Sequence, residues 1–367
     1  MGFGCYEHAE SDAGFPGAEL QADVPDGFAL RGAFVDYLRE YAYRFSLPVV
    51  DHAQVDAVDQ APAGGFIVRS KRGEYTCNAV IVASGAMSQA KVPEMADRFP
   101  DSVVQFTAAS YRRPDALPAG ATVVVGSGQS GVQIVEDLLE AGRKVYLCTS
   151  RVGRTARRYR GKDITWWGRE TGGLDMMRKD VKDPAVFSAA QPQGSGTRGG
   201  HTVSLQQLHR DGCKLLGKLS DVQGGVLLIK PNLLDNMAFA DTASAGNKTR
   251  TDGYIEKTGG DHPPAEPDPA EAPVDDLGGA DQVISLDMAQ AGIGSVIWAT
   301  GFVGDFSWLN VPAVDPSGNP VHELGISPHD GVYFLGFPWL SKRKSGIVFG
   351  VAEDASRIVD HIAAKAE

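Results

Sequence analysis

Cysteine is scarce in this chain: four residues in 367, at positions 5, 77, 148 and 213, with no Cys-x-x-Cys pair among them. That pattern argues against a redox dithiol and fits a reducing compartment. Long apolar runs are absent, as are the charged and small-residue flanks of a signal or transit peptide. No integral membrane segment is expected, and the default location is cytoplasmic. An excess of basic charge is also missing. Thirty-five Lys and Arg face 46 Asp and Glu, a net charge of −11, which argues against nucleic acid and membrane surfaces as partners. The eight histidines show no metal-ligand spacing, so no metal is expected. No repeat of solenoid length is visible. What the chain does have is enough apolar sequence, 43%, to bury a large core, and a length that suggests two domains.

The richest feature lies mid-chain: Ala121-Thr-Val-Val-Val-Gly126-Ser127-Gly128-Gln129-Ser130-Gly131, followed by Val132 to Glu140. A β-branched run enters a glycine turn, and the turn opens an amphipathic helix with Val132, Val135, Leu138 and Leu139 on one face. This context turns a Gly-x-Gly-x-x-Gly match into a dinucleotide fingerprint. Gly126 permits the tight turn, Gly128 lets a diphosphate approach the backbone, and Gly131 lets helix and sheet pack closely. The helix N-terminus then offers free N–H groups and partial positive charge.

The second strand of such a unit reads Lys144-Val-Tyr-Leu-Cys-Thr-Ser150, and no acid follows it to hold a ribose diol; Arg151 stands there instead. A guanidinium suits a 2′-phosphate, so the cofactor expected is NADP(H), with Arg151 as its ligand. Arg154, Arg157, Arg158, Arg160 and Lys162 follow, read mainly as a solvated basic loop.

Elsewhere, residues 32 to 45 carry a helical apolar spacing. Short strands are expected at 48–50, 55–58, 65–69 and 75–83, resembling a small β-meander that feeds a buried strand. A proline-containing linker covers 86–118. Past Arg160 the pattern is irregular: Trp166-Trp167, read as packing, then a Gly194 to His201 loop, a helix around Leu205 and Leu208, and a strand at Val226 to Ile229. A polar stretch at 240–281 reads as a surface loop. Strands at 295–302 and 332–336 follow, with a closing helix that groups Val351, Ala355, Ile358, Val359 and Ile362.

Several of these segments resemble the flavin-containing monooxygenases. Val80-Ile-Val-Ala-Ser84-Gly85 and Val296-Ile-Trp-Ala-Thr300-Gly301-Phe302 look like the paired Ala-Thr-Gly segments of two-dinucleotide flavoproteins. Gln105-Phe-Thr-Ala-Ala-Ser-Tyr111-Arg112 is similar to that family's Gln-x-His-x-x-x-Tyr-Arg stretch, and Tyr333 to Gly346 to its flavin-covering segment. The resemblance runs from about residue 27 to the end. It implies an α/β fold in which a doubly wound, Rossmann-like NADP-binding domain (119–281) is inserted in an FAD-binding-type domain (1–118 and 282–367). FAD and NADP(H) would be the cofactors, and a small-molecule substrate and oxygen the partners. The implied chemistry is oxygenation of a soft nucleophile or carbonyl through a C4a-hydroperoxyflavin, with no catalytic side chain assigned.

Two departures qualify the carry-over. The family's histidine is Thr107 here. The N-terminal FAD fingerprint unit is expected to be lacking, because Gly2-Phe-Gly4 follows no strand, and the FAD-binding-type domain would then be truncated. Ser84-Gly85 and Thr300-Gly301 either line the flavin or terminate buried strands. Ser345-Gly346 either donate N–H groups to it or cap the last helix. Lys342, Arg343 and Lys344 read as a solvated charge run, and Trp298 and Trp308 as core. The other readings are a non-catalytic NADP(H)-binding pseudoenzyme and a flavin-dependent dehydrogenase.

Overall fold

A computed structural model describes Phe15, Gly17, Ala18 and residues 28–366. The Gly2-Phe-Gly4 reading, and with it the expected lack of an N-terminal FAD unit, lies outside the described residues. In chain order the principal elements begin with α1 (Arg31–Arg44), β1 (Val55–Gln60), β2 (Phe66–Ser70), β3 (Gly73–Cys77) and β4 (Val80–Val82). Next come β5 (Val104–Thr107), β6 (Ala121–Val125), α2 (Gln129–Glu140), β7 (Val145–Cys148), α3 (Ile164–Glu170) and α4 (Leu205–Arg210). Then follow β8 (Lys214–Leu216), β9 (Leu219–Gln223), β10 (Val226–Ile229) and α5 (Leu233–Thr258). The chain ends with β11 (Ser285–Asp287), β12 (Ile293–Trp298), β13 (Val332–Phe334) and α6 (Val351–Ala366).

These elements divide into two compact units. The first holds residues 90–171 and 188–301. Its centre is a parallel five-stranded sheet in the order β8-β7-β6-β12-β5. Every residue of β6 and β7 is buried, Thr122 included, as their largely apolar runs require of inner parallel strands. The sheet shares a core with the antiparallel β9-β10-β11 layer, through Val123, Val125, Tyr146, Leu216, Val222, Leu227 and Trp298. The order 3-2-1 on one side of β6, with β12 on the other, places a topological switch point at the carboxyl end of β6.

The second unit holds the described residues up to Gln89, with 172–187 and 302–366. An antiparallel meander β1-β2-β3 and a parallel pair β4–β13 surround a core of Val58, Phe66, Val82, Val332, Phe334 and Leu340. The 75–83 segment expected as one strand is thus two, β3 in the meander and β4 beside β13. The segment 172–187 runs along residues 341–344: Met177 bridges Lys342, and the Arg343 and Lys344 amides donate to the Met176 and Leu174 carbonyls.

The unit boundaries fall at 90 and 301, against 119 and 281 in the sequence reading. β5 and β12, placed there in the FAD-binding-type halves, flank β6 instead. An inner strand with no polar residue exposed needs a neighbour on each edge, and β12 fills the open one. A larger difference is α5, 26 residues long, where part of the sequence read as loop. Its buried stripe uses small and polar residues (Asn236, Ala240, Ser244, Thr251) beside Leu233, Met237 and Ile255, so it carries little apolar periodicity. The loop after it is pinned by Glu271. Burial alone would raise that carboxyl, but Lys248, Ser244 and Arg154 hold it below its ordinary range.

Two smaller readings also change. In α6 the buried positions are Asp354 and Ile358, while Val359 is exposed. The Lys342–Lys344 run is not simply solvated: Lys344 is buried, and both lysines pair with Asp175 and Glu353 at 2.5–3.1 Å. Among the described residues no helix is long and apolar enough to cross a membrane.

Candidate nucleotide-binding site

β6 ends at Val125, the chain turns through Gly126 to Gly128, and α2 starts at Gln129. Gly126 has φ +106°, a conformation side chains avoid, and a Cβ there would lie 2.4 Å from the Ala299 carbonyl oxygen. A Cβ on Gly131 would lie 1.9 Å from the Gly126 carbonyl oxygen. Gly128 differs: its Cβ would meet nothing within 4 Å. The turn is therefore packed tightly behind and open in front. Gly128 is the N-cap of α2 and no side chain caps the helix. The first bond along it runs from the Val132 amide to the Gly128 carbonyl at 3.1 Å. The amides of Gln129, Ser130 and Gly131 precede that first bond, the position in which a helix offers its donors to an anion.

Ser127 is fully buried and locks the turn to the next strand. The Ser150 amide donates to its Oγ at 2.9 Å, and that Oγ donates to the Ser150 carbonyl at 3.2 Å. Its own carbonyl accepts from Gln193 Nε2 at 2.6 Å. Gln193 is also fully buried, and its Oε1 finds no partner among the described residues. Sequence reasoning missed Gln193; it lies 66 residues away and no local pattern marks it.

Arg151 leaves the carboxyl end of β7 and is exposed. No carboxylate pairs with it among the described residues, and its guanidinium stacks on the Phe239 ring, 4.4 Å from the centroid. The neighbouring basic residues are committed elsewhere. Arg154, 2% exposed, pairs with Asp241 at 2.6 Å and Glu271 at 3.3 Å. Arg157 pairs with buried Asp163 at 2.8 Å, and Arg160 with Asp252 at 3.3 Å. Arg158 donates to the Gly199 carbonyl, and Lys162 lies over Trp166. The solvated reading thus gives way to buried ion pairs for Arg154 and Arg157.

Thr300 and Gly301 extend β12 in this same unit. Thr300 Oγ1 donates to the Lys91 carbonyl, and the Gly301 carbonyl accepts from the Lys91 amide at 2.9 Å, so both fasten the strand end to residue 91. Tyr111 is buried and donates to Asp137 on α2 at 2.6 Å, while Gln105 bridges the Ala96 carbonyl and the Trp298 indole. The Gln-to-Tyr stretch is thereby explained as scaffolding. Thr107 closes a turn, its amide donating to Ser110 Oγ at 2.9 Å. Trp298 and Trp167 are core. The Gly194–His201 loop is tied to α2 by His201 Nε2 and Glu136, 2.6 Å apart. Cys148 and Cys213 are buried and their thiols are pushed up to about 12 by that burial, which keeps them protonated and unreactive.

In the second unit, Ser84 helps line a cavity of about 450 Å³ otherwise formed by apolar side chains, including Val58, Ile81 and Trp308. Gly85 has φ +69° and open space beside it. Ser345 is buried and accepts from the Ser341 and Lys342 amides at 3.1 and 3.0 Å, a capping role. A Cβ on Gly346 would press on Pro338. Among the described residues of this unit, no parallel strand passes through a glycine turn directly into a helix. They hold no counterpart of residues 126–131 for the diphosphate of FAD.

The fold and the turn define a mixed α/β protein built on a Rossmann-like parallel sheet. A family described as pyridine nucleotide-disulphide oxidoreductase matches residues 23–165. An uncharacterized CzcO-like oxidoreductase of Geobacillus kaustophilus is 28% identical over 352 residues, 95% of this chain and 82% of that protein. A variant of the flavin monooxygenase of Stenotrophomonas maltophilia superposes with a TM-score of 0.61 at 18% identity, over 98% of this chain and 84% of that one. Oxidized steroid monooxygenase bound to NADP gives 0.51 at 17%, over 99% and 76%. Together these findings support an oxidoreductase of a flavin-containing monooxygenase-like family.

Proposed function

We propose that the chain is an NADPH-dependent flavin monooxygenase that oxygenates a small soft nucleophile or carbonyl compound. The observation that carries the nicotinamide half is the Gly126–Gly131 turn, tight behind and open in front of Gly128, with Arg151, which no carboxylate pairs among the described residues, at the end of the adjoining strand. The amides at the start of α2 hold the diphosphate, and the turn's close packing fixes their direction. Ser127 and Gln193 keep the turn from collapsing into the open space. Arg151 takes the 2′-phosphate and so selects NADPH over NADH. FAD, when bound, supplies the electron transfer between nicotinamide and oxygen that no side chain can supply. For FAD, Ser84 and Gly85 beside the apolar cavity are the candidate contacts in the second unit, with Thr300, Gly301, Ser345 and Gly346 engaged structurally.

The test is direct. The purified native chain is supplied with FAD and given NADPH with sulfides, amines or ketones. Oxygen-dependent formation of an oxygenated product supports the proposal, and oxidation of NADPH without oxygen incorporation counts against it. A second reading is a nucleotide-binding protein without flavin. A colourless preparation that binds NADPH and takes up no FAD is its signature.

A further inference from the structure

Residues 149–154 leave β7 and run along α5, and alternate residues meet successive turns of that helix. Asn236 Nδ2 donates to Thr149 Oγ1 at 3.0 Å. The Arg151 guanidinium lies 4.4 Å from the centre of the Phe239 ring. A Cβ on Gly153 would sit 3.2 Å from Ala243 Cβ, and Arg154 pairs with Asp241 at 2.6 Å. Positions 236, 239 and 243 follow i, i+3, i+7 and share one helix face. Phe239 is therefore held between two fixed contacts, and so is the strip of backbone that carries Arg151. Every other arginine of the 151–160 run finds a carboxylate or a backbone carbonyl. Among the described residues, Arg151 has only the Phe239 ring to rest on.

From this registration we infer that Phe239 is a positioning residue for cofactor selection. Its ring holds the Arg151 guanidinium flat and in place before the nucleotide arrives. An exposed arginine loses considerable rotamer freedom when it grips a phosphate, and a side chain already stacked on a ring loses less. The stack leaves the guanidinium edge, with its N–H donors, free for a bidentate contact. This inference rests on the reading of Arg151 as the 2′-phosphate ligand. It adds that discrimination between the phosphorylated and unphosphorylated nucleotide depends on α5, a helix some 90 residues further along the chain.

The experiment titrates the full chain, wild type and variant, with NADPH, NADH, adenosine 2′,5′-bisphosphate and adenosine 5′-monophosphate by calorimetry, alongside thermal melts. Phe239→Leu and Phe239→Met keep an apolar side chain and remove the π face; Phe239→Tyr and Phe239→Trp retain it. The Leu and Met variants should bind NADPH and the bisphosphate about three- to tenfold more weakly. Their binding of NADH and the monophosphate should stay at wild-type strength, and the Tyr and Trp variants should keep wild-type preference. In an Arg151→Ala background, Phe239→Leu should cause no further loss. Equal loss for phosphorylated and unphosphorylated ligands, or no loss in the Leu and Met variants, would overturn the role of Phe239. If Arg151→Ala is selective for NADPH while the Phe239 variants are silent, only this inference falls. If Arg151→Ala weakens NADPH and NADH alike, the reading of Arg151 itself falls.

Discussion

Two glycines of the same turn should respond to one added methyl group in opposite ways. At Gly131 the methyl carbon would lie 1.9 Å from the Gly126 carbonyl oxygen and 3.0 Å from its carbon. That carbonyl cannot retreat cheaply, because Gly126 is itself packed so closely that a Cβ on it would lie 2.4 Å from the Ala299 carbonyl oxygen. Gly131→Ala must therefore move backbone, and overpacking of this kind costs about 1–3 kcal/mol. In a unit of this size each kcal/mol is about 2–4 °C of melting temperature, so a drop of several degrees is expected. At Gly128 the backbone has φ −69° and ψ 179°, which alanine adopts freely, and the methyl meets nothing within 4 Å. The poorer N-cap and the stiffer unfolded chain offset each other, so stability should stay within about 1 kcal/mol. The methyl would instead occupy the space through which a diphosphate reaches the helix amides. A hydrogen bond to a charged group is worth about 1.5–3 kcal/mol. Losing one raises the dissociation constant for NADPH about tenfold or more. Denaturant or thermal unfolding measures the first quantity and calorimetric titration the second. A Gly128→Ala protein with wild-type affinity, or a Gly131→Ala protein with wild-type stability, would refute the cradle.

Three further outcomes are expected. Arg154→Ala should destabilise the chain by about 1.5–3 kcal/mol, because it takes a charged hydrogen-bond partner from partly buried Glu271 while Lys248 and Ser244 remain, and the NADPH-to-NADH preference should stay unchanged in titrations. His201 is raised above its ordinary value, first by its hydrogen bond to Glu136, so it gains a proton in the folded state. Its contribution is full below about pH 6.5 and fades as pH rises through the higher folded-state value. His201→Gln should accordingly lower the melting temperature more at pH 6 than at pH 9, and a pH-independent difference would exclude the ion pair. Iodoacetamide with peptide mapping should leave Cys148 and Cys213 unlabelled in the native protein and modify both in denaturant.

The parts of this molecule that were legible in the sequence are those whose determinants are local. The strand–turn–helix at 121–140 is written in consecutive residues, since β-branched burial, glycine conformation and helix amphipathicity all act within a few positions. The meander and the closing helix were legible for the same reason. α5 was not, because its buried face is built from Asn236, Ala240, Ser244 and Thr251, whose burial depends on partners far along the chain. Strand membership failed for a related reason. β5 and β12 are separated by nearly two hundred residues, and nothing in either says that they flank the same β6.

The basic run after β7 shows how this limit bears on function. Six cationic side chains between 151 and 162 look equivalent as sequence, and an electrostatic argument from composition would credit all of them to the cofactor. Their acids come from elsewhere: Asp241 and Asp252 from α5, Glu271 from the loop beyond it, Asp163 from the N-cap of α3. Each buried pair removes an arginine from the pool of charges that a phosphate could use, since a guanidinium with its donors filled has nothing left to offer a ligand. Selectivity for one nucleotide over another then depends less on how many positive charges a loop carries than on which one the rest of the fold leaves uncompensated. Among the arginines of this run, Arg151 is the one to which the described residues give neither a carboxylate nor a backbone carbonyl, and the helix that pairs with Arg154 and Arg160 gives it an aromatic ring in place of an acid.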